Sequence, residues 1–216
     1  MSRYRFRLLW ATLALLLFFY PIIKYFELTG LAVVLNATIT LVLIASIHAL
    51  SDNRRHLLLA LAMTAPAMVL SWTDQFLPSQ IYRLVAPIFL AMAFGYVAVF
   101  ILRFALKTGR VDAAKVDAAI CVYLLIGVVW QYFYIFVNTV IPESFANPRL
   151  AYGDFLYFSF VTLTTLGYGD ITPLNGPAQA LAYTEAILGQ LYLTILVARL
   201  VGLHIAYTGH ENANDA

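Results

Sequence analysis

In the last third of the chain stands Thr162-Leu163-Thr164-Thr165-Leu166-Gly167-Tyr168-Gly169-Asp170. The chemistry within its reach is that of main-chain oxygen. A cation entering a narrow passage sheds water, and consecutive carbonyls aimed at one axis can replace it. An ordinary extended strand alternates its groups from side to side. Inserting left-handed residues turns successive carbonyls the same way, and glycine takes φ > 0 at little steric cost. Gly167 and Gly169 read as those positions, and Thr165 adds a hydroxyl oxygen at the inner mouth. Leu166 and Tyr168 then face outward and brace the strand. One strand makes a quarter of a cage, so four chains around an axis, a homotetramer, are implied.

Such a strand needs elements to hold it. Residues 154–164 before it are apolar and of helix length. They are too few to cross a bilayer, which takes about 20 residues. Asp154 reads as the N-cap of this helix. The carbonyls at the helix C-terminus carry partial negative charge, which favours a nearby cation. A short apolar helix followed by Gly-x-Gly reads as re-entrant, a form that survives at membrane depth only when protein or a watery cavity surrounds it. Pro142, Asn147, Pro148 and Gly153 mark the preceding stretch as an exposed loop.

The rest of the chain fits a membrane. Of 216 residues, 62% are hydrophobic and only 11% charged, against about 25% charged in soluble domains. Mean hydropathy is +0.83. Six apolar segments fall at about 8–26, 28–50, 57–77, 81–106, 116–139 and 177–207. Pro21, Pro66 and Pro87 lie inside or beside them, as spans tolerate. The basic N-terminus before the first segment lacks a clean cleavage site, so that segment reads as a retained span. Arg3, Arg5, Arg7, Arg54, Arg55, Arg103, Lys107, Arg110, Lys115 and Arg199 gather on one side; Lys24, Arg83 and Arg149 are left on the other. Both termini are therefore expected in the cytoplasm. The expected class is an all-α, multi-pass protein of the cell membrane, with six spans and a re-entrant helix and filter. Its expected parts are a four-helix domain at 1–107, a linker at 108–115, a pore domain at 116–207 and a cytoplasmic tail at 208–216.

On residues 165–169, in this setting, the region 116–207 resembles the potassium-channel family, whose filter reads threonine-x-glycine-tyrosine-glycine. The resemblance implies K+ as permeant ion, held at Thr165, Leu166, Gly167, Tyr168 and Gly169, with no organic cofactor. Leu166 replaces the commoner valine. Asp170 stands where the family has an aspartate that bonds back to the pore helix, and Gly189 where the inner helix often has a hinge glycine. Tyr157 and Phe158 replace a common tryptophan pair, and Val161 replaces a glutamate found behind some bacterial filters. Asp170 is therefore expected to be held by the Tyr157 hydroxyl, with Thr164 also supporting the filter. Six spans resemble the voltage-gated layout. Yet residues 88–100 of the fourth carry no charge, Arg83 and Arg103 only flank it, and little or no voltage dependence is expected.

Other polar residues carry expectations too. Glu185, within the last span, reads either as a protonation-sensitive regulatory group or as a carboxyl hydrogen-bonded to hydroxyls of the pore helix. Gln190 either faces the cavity or packs. Arg199 reads as reaching the cytoplasmic interface. Trp130, Tyr132 and Tyr134 read as interface anchors. Asn36, Thr38, Thr40 and His48 read as helix-to-helix hydrogen-bonding groups, with a ligand site the alternative. Membrane lipids are expected partners and nucleic acid is not. The motifs of an intramembrane enzyme are absent: no Gly-x-Ser-x-Gly, no His-Glu-x-x-His, no paired aspartates. Lone Cys121 excludes an internal disulfide. A non-selective cation channel and a non-conducting regulatory subunit are the remaining rivals.

Overall fold

The computed structural model describes residues 3–26, 31–50, 54–77, 79–107, 112–146 and 150–214. These form seven helices: α1 (Arg3–Tyr25), α2 (Leu31–Leu50), α3 (Arg54–Phe76), α4 (Gln80–Ala105), α5 (Ala113–Val140), α6 (Tyr152–Leu163) and α7 (Gly176–Asn214). All but α6 are long and apolar enough to cross a membrane. Helices α1, α3 and α4 run through Pro21, Pro66 and Pro87. Helix α7 continues to Asn214, so the expected tail after residue 207 is helical for most of its length. The first half of the expected linker, residues 108–111, and the side chains of His204 and His210 lie outside the described residues.

Local chemistry starts the two longest-packed helices. Ser79 caps α4, its side chain accepting from the Ile81 amide at 3.3 Å, and Asp112 caps α5 through the Lys115 amide at 3.0 Å. Helix α4 then packs along α5 more extensively than any other pair, and its buried residues include Ala91, Phe94, Val97, Ala98 and Ile101. That seam joins the first four helices to the rest of the same chain. Helix α1 also lies on α5, where Arg3 and Arg7 approach Asp117 at 3.0 and 3.6 Å.

Helices α2 and α3 are tied by polar groups. Asn36 donates to the Ser71 carbonyl at 3.3 Å, and the Trp72 indole donates to Thr40 at 3.2 Å. Thr38 instead bonds the Val34 carbonyl of its own helix.

Helix α6 sits between α5 and α7. The loop before it is no mere exposed connection. Phe145 is buried against Tyr134, Phe155 and Phe158, with ring centroids 5.2–5.8 Å apart. Such edge-on pairs contribute about 0.5–1.5 kcal/mol each beyond burial. The same loop pairs with the segment after the filter: Ala146 donates to the Thr172 carbonyl at 2.9 Å and Leu174 to the Ser144 carbonyl at 2.8 Å. The α5–α6 loop thereby clamps the segment that follows residues 165–169.

Candidate functional site

The C-terminus of α6 turns directly into the strand at residues 165–169. The amides of Thr164 and Thr165 donate to the Phe160 and Thr162 carbonyls at 3.1 and 2.9 Å. Those of Leu166 and Gly167 share the Val161 carbonyl at 2.9 and 3.3 Å. The first three donors of the strand, at Thr165, Leu166 and Gly167, are thus spent on the helix that precedes it. Among the described residues, no hydrogen bond is accepted by the carbonyls of Thr165, Leu166, Gly167, Tyr168 or Gly169.

Backbone handedness follows the same two-residue period. Thr165, Gly167 and Gly169 have φ of +59°, +58° and +79°. Leu166 and Tyr168 between them do not take positive φ. The two glycines stand as the residue types require; Thr165 is an addition that sequence reasoning missed. A period of two extends to the next alternate residue whatever its type, at about 1–2 kcal/mol for a residue with a Cβ. The Thr165 hydroxyl donates to the Thr164 carbonyl at 2.7 Å, and Gln190 of α7 reaches the same hydroxyl at 3.4 Å. Gln190 is therefore beside the strand. Thr164 bonds the Phe160 carbonyl at 2.6 Å, which closes the last turn of α6.

Tyr157 and Asp170 meet across the strand. Partial desolvation and the hydrogen bond and charge of Asp170 push the Tyr157 hydroxyl up to about 12. It remains a neutral donor throughout the physiological range. Any stability that this shift contributes is complete below pH 10, the ordinary tyrosine value, and is lost as pH rises toward 12. Tyr157→Phe is expected to shorten the life of the conducting filter, seen as earlier loss of current in bilayer recordings. Unchanged permeation and filter stability would count against this role.

At the other end of α6, Asp154 is the third helical residue and not the N-cap, a position held by Ala151. Alanine has no side-chain acceptor, so only the reverse half of a capping box forms. The Asp154 carboxylate accepts from the Ala151 amide at 2.9 Å and from the Tyr20 hydroxyl of α1 at 3.2 Å. Gly153 leaves room for the Tyr20 ring, since a Cβ there would lie 2.0 Å from it. The first helix is thereby fastened to the start of α6.

Glu185 of α7 is fully buried. Its carboxylate accepts from Ser159 of α6 at 2.5 Å and from the Tyr134 hydroxyl of α5. Ser159 also lies 2.7 Å from the Gly127 carbonyl of α5. One acidic group joins all three helices behind the strand. Of the two sequence readings of Glu185, the hydrogen-bonded one describes this geometry. Tyr134, Tyr132 and Trp130 are not interface anchors: they are 0%, 4% and 8% exposed, inside the chain. Their aromatic type alone does not separate a belt residue from a core residue when the partner lies fifty residues away.

Gly189 lies in unbroken helix. A Cβ there would meet the Leu163 carbonyl at 2.5 Å and the Leu163 side chain at 2.8 Å. The glycine permits α7 to touch the last turn of α6. Gly189→Ala is accordingly expected to destabilise the folded protein by about 1–3 kcal/mol through overpacking, measured by melting in detergent. A purely hinge role would leave melting unchanged and alter only gating. Arg199 does not simply reach an interface either: its guanidinium donates to the Leu106 carbonyl at the C-terminus of α4, where the helix dipole favours a cation.

Comparison with known proteins bears on the C-terminal part. The family described as "Ion channel" matches residues 118–204. Protein LctB of Geobacillus stearothermophilus is 42% identical over 66 residues, 30% of this chain and 48% of that protein. Protein LctB of Bacillus caldotenax is 36% identical over 84 residues, 36% of this chain and 62% of its own length. Two pore potassium channel c of Oryza sativa subsp. japonica is 35% identical over 82 residues, 37% of this chain and 16% of that protein. In each case less than two thirds of the relative's length is covered. No solved structure matches the chain.

Proposed function

We propose, from the match of residues 118–204 to the ion-channel family and the likeness to two pore potassium channels, that the chain is a member of the potassium-channel family and forms a K+-selective channel as a homotetramer. Residues 165–169 of four chains line the conduction path with backbone carbonyls, α6 is the re-entrant pore helix, and α5 and α7 are the outer and inner helices. The observation that carries this reading is the alternation of positive φ at Thr165, Gly167 and Gly169, on a strand whose carbonyls have no hydrogen-bond partner among the described residues.

Exposure supports the tetramer. Leu166 and Tyr168 are 55% and 67% exposed in the single chain. Only 11% of the α7 span is buried, against 56% of the α5 span. An inner helix and a filter strand left uncovered on one face fit a site completed by further copies. The parts follow the boundaries expected above: a four-helix unit at 1–107, a linker at 108–115, a pore unit at 116–207 and a C-terminal tail. The charge asymmetry supports cytoplasmic termini in a cell membrane. K+ is the permeant ion, and the chain acts as a conduit and not as an enzyme.

Voltage dependence is expected to be weak. One elementary charge crossing 100 mV supplies only about 2.3 kcal/mol, and α4 between Arg83 and Arg103 has none to move. Macroscopic conductance should vary little between −100 and +100 mV, roughly the physiological span on either side. A gating charge of several elementary units per chain would overturn this.

The decisive experiment is reconstitution of the purified protein in liposomes, with bilayer recording under opposed potassium and sodium gradients. Current reversing near the potassium equilibrium potential, and blocked by barium, is the expected result. Reversal near zero would favour a non-selective cation channel. Intact tetramers without current would favour a subunit that needs a partner.

A further inference from the structure

Gln190 brings α7 to the strand at residues 165–169: its amide nitrogen lies 3.4 Å from the Thr165 hydroxyl. We propose that Gln190 is a positioning residue for the innermost cation ligand, holding the Thr165 hydroxyl so that one lone pair of its oxygen is presented to the permeant ion. This role rests on the channel reading above and assigns a side chain of α7 to the inner mouth of the filter.

The proton count fixes the geometry. A threonine hydroxyl has one proton to give and two lone pairs to accept with. The Thr165 proton goes to the Thr164 carbonyl at 2.7 Å. Towards Gln190 the hydroxyl can therefore only accept. That orients the amide: its nitrogen faces Thr165 and its oxygen is turned away. One lone pair of the hydroxyl takes the amide N–H, and the other is left. Two hydrogen bonds, one from each side, fix the rotation of this hydroxyl. With the Gln190 donor gone, only the bond to its own neighbour remains.

The backbone gives Thr165 a particular need of such a hold. It is the one member of the alternation that is not glycine, and its φ of +59° is a conformation that a Cβ makes costly. A threonine hydroxyl swings with the backbone that carries it. The amides of Thr165 and Leu166 are tied to α6 through the carbonyls of Thr162 and Val161. The side chain is tied to α7 through Gln190. Helices on two sides thus hold one strained residue in place.

The residue before Gln190 makes the reach possible. A Cβ at Gly189 would lie 2.5 Å from the Leu163 carbonyl oxygen. Its absence lets α7 close on the last turn of α6, and the next side chain then arrives at Thr165. Gln190 also stands on a face of α7 that the single chain leaves open. Ile187, Thr194, Val197 and Val201 share that face at helical spacing, and all are exposed. The Thr194 hydroxyl is spent on the Gln190 carbonyl at 2.8 Å.

Gln190 is therefore a polar group with capacity to spare on a mostly apolar stripe, at the end nearest Thr165. In the channel reading that stripe faces the conduction path below the filter, and the ion passes Gln190 and Thr165 together.

The test is calorimetric titration of purified tetramers in sodium buffer with barium, a divalent cation that takes oxygen ligands. Binding is read directly, so a variant that no longer conducts can still be measured. Wild type is expected to bind barium. Gln190→Met, of similar length but without the N–H, should bind it about tenfold more weakly, a difference of about 1.4 kcal/mol. In a Thr165→Val background, which lacks the hydroxyl, Gln190→Met should change affinity less than about twofold, because the two residues act as one unit. In Thr165→Ser, which keeps the hydroxyl, the loss of about tenfold should return. A merely structural role would lower melting in detergent and would not follow the hydroxyl. Barium affinity of Gln190→Met within about threefold of wild type overturns the proposal. So does an equal loss with and without the Thr165 hydroxyl. Gln190→Met alone decides where Thr165→Val does not assemble. Wild-type tetramers that bind no barium would overturn the channel reading and this role with it, whereas a failure confined to the variants overturns this role alone.

Discussion

Gly167→Ala is expected to abolish potassium flux while leaving the chain folded. The loss is not steric within the chain, because nothing lies within 4 Å of a Cβ built at Gly167. It is a backbone effect. Gly167 has φ +58°, and a residue with a Cβ pays about 1–2 kcal/mol to stay there. In a tetramer that cost is counted four times, about 4–8 kcal/mol. At about 1.4 kcal/mol per factor of ten, the conducting arrangement becomes roughly a thousandfold to a millionfold rarer. Gly169→Ala, with φ +79°, should behave alike. Gly95→Ala in α4 is the control: its Cβ also meets open space, its φ is not positive, and flux should survive. Potassium efflux from liposomes measures all three. Efflux from Gly167→Ala within threefold of wild type would remove backbone alternation as the basis of conduction.

The second large effect is expected at Glu185. Replacing it with alanine strands the Tyr134 hydroxyl in a fully buried place and leaves Ser159 only the Gly127 carbonyl. A stranded hydroxyl costs about 1–3 kcal/mol, so Glu185→Ala should lower stability by about that much per chain. Glu185→Gln keeps an acceptor oxygen of the same shape and should lose less. Tyr134→Phe and Ser159→Ala should each cost part of the total. Combined with Glu185→Ala they should add little further, because the members of one network are not independent. Thermal melting in detergent, with tetramer retention followed alongside, reads these differences. A Glu185→Ala protein that melts within a degree of wild type would show that the three helices are held by packing alone. The network lies close to the strand, since Ser159 is one turn of α6 ahead of Leu163, and Leu163 abuts Gly189.

The number and approximate bounds of the long helices were readable in the chain itself, since runs of about 20 apolar residues have few other uses. The filter was readable for a different reason. Its chemistry lies in the backbone, and Gly-x-Gly after a short apolar run reports a backbone conformation directly. Thr165 was not readable, because a threonine gives no local sign of left-handed geometry; only the continuing alternation imposes it. Asp154 was misplaced by three residues, since an aspartate at the cap and one at the third helical position look alike until the Ala151 amide is seen to donate to it.

What the tertiary structure alone decided are the pairings across distance. Tyr134 meets Glu185 from fifty-one residues away, Tyr20 meets Asp154 from one hundred and thirty-four, and Arg199 meets Leu106 from ninety-three. In an all-apolar helix the hydrophobic pattern scarcely distinguishes one face from another, so periodicity cannot tell which side faces lipid and which faces protein. The sequence by itself determined a membrane chain with a strand built to offer carbonyls. Which side chains stand behind that strand, and that Gly189 exists to let α7 touch α6, follow from helix rotation and depth, which only packing in three dimensions sets.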